Sequence, residues 1–227
     1  MTLPRPPSGE LRLVKDVPGA FADFVAARMA ASPDRPFRIA LSGGETARAC
    51  YERLAPAPID WAGLEIFLGD ERCVEPADPA ANQRLIREAL GERFSQLGAF
   101  HPMSCDDPDG YANLLASRPP LDLIHLGLGP DGHTASLFPG SAGLSAPAGD
   151  SVVRNTDPTG HNPLPRLTFT FEAIARSRVV LFTVAGASKA AALREVFEGE
   201  NLPAARVRAP EVVWLCDYEA LGMPSGG

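Results

Sequence analysis

Four short apolar runs in this chain each break off near a glycine-bearing polar turn. Phe37-Arg38-Ile39-Ala40-Leu41 stops at Ser42-Gly43-Gly44, and Leu64-Glu65-Ile66-Phe67-Leu68 stops at Gly69-Asp70-Glu71-Arg72. The run from Leu121 to Leu128 stops at Gly129-Pro130-Asp131-Gly132-His133, and Val179 to Val184 ends just before Gly186. Runs of this length, bounded by turn residues, read as buried strands. Helical patterns lie between them: Thr46 to Leu54, Pro79 to Phe94 with Leu85, Ile86, Ala89, Leu90 and Phe94 on one face, a weaker one from Tyr111 to Ser117, and Ser188 to Phe197. Further strands are expected at Val152-Val153, Leu167 to Phe171 and Glu211 to Leu215. Ser141 to Gly149 reads as a loop, a short helix is expected after the His133 turn, and the tail Met223 to Gly227 as frayed. Strands alternating with helices predict right-handed βαβ units. The expected architecture is therefore α/β: a Rossmann-like, mostly parallel sheet flanked by helices, in a single domain over residues 1–227.

Charge and cysteine content narrow the partners. The net charge of −7 argues against a nucleic-acid surface, while leaving room for local basic pockets that take small anions. No apolar stretch approaches the ~20 residues that span a bilayer, so no membrane partner is expected. The opening Met1 to Glu10 is Pro-rich and polar, without the apolar core of a signal peptide. Cys50, Cys73, Cys105 and Cys216 are scattered and form no CxxC pair, which argues against disulfides and a zinc site and for reduced thiols in the cytoplasm. Only Lys15 and Lys189 among the 21 basic residues are lysine, which draws attention to Lys189.

Three turns carry groups suited to chemistry. Ser42-Gly43-Gly44-Glu45-Thr46 lies between a strand and a helix. Its glycines let backbone approach a ligand, and the free N–H groups at a helix start favour an anion such as phosphate. The same pair serves equally as an ordinary tight turn, and the Glu45 carboxylate would repel phosphate unless it points away. Asp70-Glu71-Arg72 ends the second strand and reaches the same sheet edge. Arg72 there could hold an anion or a developing oxyanion, and Asp70 could bind sugar hydroxyls or accept a proton; in isolation the triplet reads as a solvated charged turn, and its place at a strand end sets the two readings level. Asp131 and His133 form the third group. Neutral histidine is a natural base for activating water, and a nearby carboxylate can orient it, although a spacing of two residues does not by itself make the pair hydrogen-bond. No Gly-x-Ser-x-Gly elbow is present, and one Asp-His pair does not make a zinc site. His125, inside an apolar strand, reads as a packed core residue, and His101 and His161 lie in turns. Arg166 and Lys189 sit at strand and helix starts, where each is either a surface cation or an anion ligand.

Taken in order, these segments resemble the 6-phosphogluconolactonase family, within the wider group that includes glucosamine-6-phosphate deaminases and ribose-5-phosphate isomerases. The likeness runs through Leu41-Ser42-Gly43-Gly44-x-Thr46, Gly69-Asp70-Glu71-Arg72-Cys73-Val74, Asn82, Pro165-Arg166-Leu167-Thr168 and the Lys189 region. Its most specific part is Gly127-x-Gly129-x-Asp131-Gly132-His133-Thr134-Ala135-Ser136-Leu137-Phe138-Pro139. The resemblance implies hydrolysis of 6-phospho-D-glucono-1,5-lactone to 6-phosphogluconate in the pentose phosphate pathway, with a phosphosugar lactone as the partner and neither metal nor organic cofactor. It implies that His133 deprotonates the attacking water and Asp131 orients it or the substrate. It further implies that Arg72 steadies negative charge, and that Ser42, Gly43, Gly44, Thr46, Asp70, Arg166 and Lys189 bind substrate, the phosphate lying among the glycine loop, Arg166 and Lys189. The protein is expected to be a monomer or small homo-oligomer. Ala47, where a proline commonly follows the threonine, Ala81, where a serine commonly precedes the asparagine, and the segment Asp217 to Leu221 depart from the family pattern, and none removes a proposed catalytic group. The rival reading is a sugar-phosphate isomerase or deaminase. Such deaminases carry a glutamate a few residues beyond the histidine, and Thr134 to Pro139 contains no carboxylate. A non-enzymatic sugar-phosphate sensor is the other alternative, without an appended DNA-binding segment to support it.

Overall fold

A computed structural model of the chain describes residues 3–32, 36–199 and 201–224. The first strand, β1 (Glu10–Leu13), leads into helix α1 (Val17–Ala30), whose first turn is closed by the Asp16 carboxylate accepting the Gly19 N–H at 3.0 Å. Then come β2 (Phe37–Leu41), α2 (Glu45–Leu54), β3 (Leu64–Leu68), β4 (Asp70–Arg72), α3 (Asn82–Leu90), β5 (Ala99–Phe100) and α4 (Pro108–Ala116). The second half comprises β6 (Leu123–Leu126), β7 (Val152–Asn155), β8 (Arg166–Phe169), α5 (Phe171–Ala175), β9 (Val179–Val184), α6 (Ala190–Phe197) and β10 (Glu211–Cys216).

Seven strands form a wholly parallel sheet in the order β1-β10-β9-β6-β2-β3-β5. Every residue of β2, β6 and β9 is buried, as expected of strands covered on both faces. Phe182 of β9 and Trp214 of β10 stack at 3.8 Å between ring centres in this core. From β2 the chain first builds outward through β3 to β5, then returns to β6 on the other side of β2. That reversal leaves a crevice at the carboxyl ends of β2 and β6, the place where open α/β sheets bind ligands. Ser42-Gly43-Gly44 and Gly127 to His133 both emerge there.

Several sequence expectations change. Asp70-Glu71-Arg72 is a strand rather than a turn: it joins an antiparallel sheet of order β4-β8-β7, with Asp70 opposite Thr168 and Arg72 opposite Arg166. The expected strand from Leu167 to Phe171 runs Arg166–Phe169, and Phe171 already begins α5. No helix follows His133; Thr134 and Leu137 bridge in a tight turn, with Ala135 at φ 48°. The expected loop from Ser141 contains a helical turn at Ala142–Ser145. The first strand and α1 carry no pattern legible in sequence, because the apolar residues of α1 lie all round it. Of the tail, residues 225–227 lie outside the described residues.

The cysteine expectation is also overturned. Cys73 and Cys105 are joined in a disulfide, with Cα atoms 5.4 Å apart. They are 32 residues apart in sequence, and only the fold brings the end of β4 beside the loop that follows β5. Cys50 and Cys216 are free and buried. No helix among the described residues is long and apolar enough to cross a membrane.

Candidate active site

The turn after β6 is built around the His133 ring. A side chain on Gly129 would place its first carbon 2.1 Å from His133 Nδ1, so only glycine lets the turn close over the imidazole. The Gly129 N–H also donates to the His133 carbonyl at 2.8 Å, and Gly132 reverses the chain at φ 77°. In this frame the Asp131 carboxylate meets His133 Nδ1 at 2.5 Å and accepts the His133 backbone N–H at 3.2 Å. The spacing left the dyad open, and the tight turn closes it. Burial pushes the Asp131 carboxyl up, but the hydrogen bond and charge of His133 outweigh that and hold it below its ordinary value. With Nδ1–H donated to Asp131, the His133 lone pair lies on Nε2.

His133 lines a cleft together with Ser42, Gly43, Gly44, Asp70, Arg72, Ser136, Asn162, Arg166 and Lys189. Most of the expected site residues thus meet in one place, although they come from both halves of the chain. Asp131 and Thr46 do not line it: Asp131 reaches it through His133, and Thr46 stands inside the first turn of α2. Gly44, at φ 105°, opens α2 with no side chain capping its first amides, which leaves those N–H groups free at the cleft. The Ser42 hydroxyl, by contrast, is committed to the His125 carbonyl at 2.8 Å.

The cations facing this loop come from the small sheet and from the start of α6. Arg72 and Arg166 are directly opposed across β4 and β8. Arg72 donates to the Ala80 carbonyl, but its buried Nε has no partner. Arg166 is 7% exposed, donates Nε to the Leu164 carbonyl at 3.1 Å, and has no carboxylate within ion-pair distance among the described residues. Burial and then Arg72 depress its basicity, against a weaker pull from Asp70, Glu71 and Asp157. Burial likewise lowers the Lys189 ammonium, which Asp131 and Glu45 partly restore. Like charges set opposite each other across strands are destabilising unless something negative comes between them.

Two carboxylates support this wall. Asp70, 5% exposed, accepts the Ser136 hydroxyl at 2.6 Å and the Asn82 amide at 3.4 Å. Glu71 turns away from the cleft and caps α3, accepting the N–H groups of Asn82 at 2.7 Å and Gln83 at 2.9 Å. Its burial raises its pKa despite those donors. Asn82 is fully buried; its amide oxygen, unpartnered, occupies the space a Gly43 side chain would need, 1.9 Å from that carbon.

Ser136 and Asn162 are site residues that the sequence reading did not single out. Ser136 falls within the histidine motif, so its neighbourhood was a usable signal. Asn162 is delivered by a loop folded on Asp157, whose carboxylate accepts the N–H groups of Thr159 and Asn162 and the Asn162 amide at 2.8 Å; nothing local marked it. Among the described residues no group of three or more His, Cys, Asp or Glu could hold a metal ion.

Residues 13–214 match the family model described as glucosamine-6-phosphate isomerases/6-phosphogluconolactonase. The 6-phosphogluconolactonase of Synechocystis sp. is 43% identical over 202 residues, covering 80% of this chain and 82% of that protein. The Thermotoga maritima 6-phosphogluconolactonase is 36% identical over 185 residues, covering 78% of this chain and 82% of its own. A crystal structure of a 6-phosphogluconolactonase from Shewanella baltica superposes with a TM-score of 0.80 at 28% identity, covering 92% of this chain and 96% of that one.

Proposed function

We propose, for a chain that belongs to the glucosamine-6-phosphate isomerase/6-phosphogluconolactonase family and is a lactone hydrolase within it, that His133 activates the water that opens 6-phospho-D-glucono-1,5-lactone. The observation that supports this reading is the Asp131–His133 hydrogen bond on a cleft-lining imidazole, which engages Nδ1 and would leave Nε2 to act as the base. In the forward step, Nε2 takes a proton from water as its oxygen bonds to the lactone carbonyl carbon. Asp131 holds the imidazolium so formed. The tetrahedral intermediate then collapses, the bond from that carbon to the ring oxygen breaks, and Nε2 returns the proton to the departing oxygen, giving 6-phosphogluconate.

Arg72, whose side chain lines the cleft, would steady the negative charge on the carbonyl oxygen. Asp70 would accept a sugar hydroxyl. The phosphate would lie between the Gly43 and Gly44 N–H groups, with the Thr46 N–H behind them in the first turn of α2, and Arg166 and Lys189 on the other side, where its charge would offset that of the opposed arginines. Ser42 shapes this loop through its backbone. In this reading the partner is the phosphosugar lactone, the protein a monomer or small homo-oligomer, and neither nucleic acid nor membrane has a role. The cytoplasm, where phosphosugars are metabolised, is the expected location.

The test generates the phospholactone in situ and follows its loss by NMR, with the spontaneous rate subtracted. Wild-type protein should accelerate hydrolysis, and His133→Ala should remove at least about 100-fold of that acceleration, as loss of a general base does. No acceleration by the wild type defeats the lactonase reading. Full activity in His133→Ala defeats the assignment of the base alone. Turnover of glucosamine 6-phosphate without lactone turnover would favour the deaminase rival.

A further inference from the structure

Beneath the cleft, a chain of buried polar groups runs through the sheet core and reaches the cleft at the Ser42 backbone. The Tyr51 hydroxyl, on α2, accepts the Ser42 N–H at 3.0 Å and donates to the Ser42 carbonyl at 2.8 Å. His125 Nδ1 lies 2.9 Å from the same hydroxyl, and its Nε2 lies 2.8 Å from Thr183 Oγ. Tyr51 has a single proton, which goes to Ser42. His125 Nδ1–H therefore donates to the tyrosine oxygen, and Thr183 donates to Nε2. Both rings are 0% exposed, and burial lowers the imidazole to about 3, so it stays neutral. Packing alone does not call for polar groups here, since apolar residues fill such a position at little cost.

Their geometry acts on one peptide plane. No peptide bond among the described residues is cis, so in the Ser42–Gly43 unit the carbonyl and the N–H point in opposite directions. Tyr51 draws that carbonyl inward. The Gly43 N–H must then leave on the outer side, where Gly43 lines the cleft and no acceptor among the described residues meets it. The hydroxyl reaches back from the second turn of the helix that begins at Gly44, so loop and helix start are held as one piece.

We infer that Tyr51, braced by His125, is a positioning residue that orients the Ser42–Gly43 peptide and thereby aims the Gly43 N–H at the substrate's phosphate. This rests on the reading above that the phosphate lies at the glycine loop. A flat phenyl ring of the same size would fill the core equally well but leave the peptide free to rotate.

Tyr51→Phe is the test, with inorganic phosphate as the probe. In wild type, phosphate should inhibit competitively and shift the Gly43 amide resonance. In Tyr51→Phe, the KM for phospholactone and the Ki for phosphate should rise together by about tenfold, the worth of one charge-assisted hydrogen bond. Its kcat should stay within about twofold, and the Gly43 shift should be lost. His125→Leu, which removes only the brace, should raise both constants by a smaller common factor, and it carries the comparison if Tyr51→Phe does not fold. Unchanged KM and Ki in the variants overturn the proposal, as does a fall in kcat with KM unchanged, the mark of general loosening. If phosphate neither inhibits wild type nor shifts Gly43, the phosphate reading itself falls, and the proposal falls with it.

Discussion

Replacing Arg166 with methionine removes a guanidinium that the unliganded protein holds against its own stability. Arg166 is 7% exposed, directly opposite Arg72, and without a carboxylate within ion-pair distance among the described residues. Relieving a cross-strand like-charge pair gains up to about 1 kcal/mol. Removing a buried charge gains more, of order several kcal/mol per ion in a fully dry site. That second gain is reduced here because the group faces a wet cleft and Asp70, Glu71 and Asp157 attract it from further away. Against it stands the lost hydrogen bond to the Leu164 carbonyl, about 1 kcal/mol. The net expectation is a gain of roughly 1–2 kcal/mol, which for a chain of this length raises Tm by about 2–8 °C. Activity should move the other way. A charge-assisted, two-pronged contact to phosphate is worth about 2–4 kcal/mol, so KM should rise by roughly 30- to 1000-fold, while kcat changes little if the contact is equal in ground and transition states. Calorimetry with and without phosphate, beside lactone kinetics, measures both effects. Wild type should gain Tm on adding phosphate and the variant should not. A variant that is less stable and keeps its KM would refute the reasoning, because Arg166 would then be a strut of the small sheet.

Three further outcomes follow from the same geometry. Gly129→Ala puts a carbon 2.1 Å from His133 Nδ1, so the ring must shift; kcat should fall by about 100-fold, as for a misplacement near 1 Å, and wild-type kcat would show that the ring position is not critical. Glu71 has a folded-state pKa raised by burial, so its contribution to stability is present below the unfolded value and is lost as pH rises through the folded one. Wild-type unfolding free energy should therefore carry a falling component above about pH 4.5, and urea titrations across pH should find it missing in Glu71→Gln; identical slopes would contradict this. Reducing the Cys73–Cys105 bond frees a loop of 32 residues and should cost about 4 kcal/mol, or roughly 8–16 °C in Tm, whereas an unchanged Tm under reductant would mean the bond contributes nothing.

How much of this was legible before the structure varies with the physical origin of each feature. The parallel sheet was legible because its strands are buried on both faces and read as short apolar runs, among which Val179–Val184 matches the observed strand residue for residue. The cleft residues were legible because parallel strands deliver their carboxyl-end turns to one edge, so Gly43, Arg72 and His133 could be grouped without knowing the strand order. By contrast, α1 was hidden by its lack of a polar face, and β4 by its length of three residues and its charge. The disulfide and the committed Ser42 hydroxyl depend on neighbours distant in sequence.

The sequence by itself determined the class of fold, the family and the set of groups available for chemistry, because these follow from local period, turn residues and motif spacing. Only the tertiary structure decided what each group is free to do. Glu71 and Arg72 are adjacent in the same charged triplet, yet one is spent capping a helix while the other faces the cleft. His125 and His133 lie on the same strand and its turn, yet one is neutral and sealed in the core while the other pairs with Asp131 and lines the cleft. Burial and hydrogen-bond partners set these differences, and both depend on residues that meet only when the sheet closes.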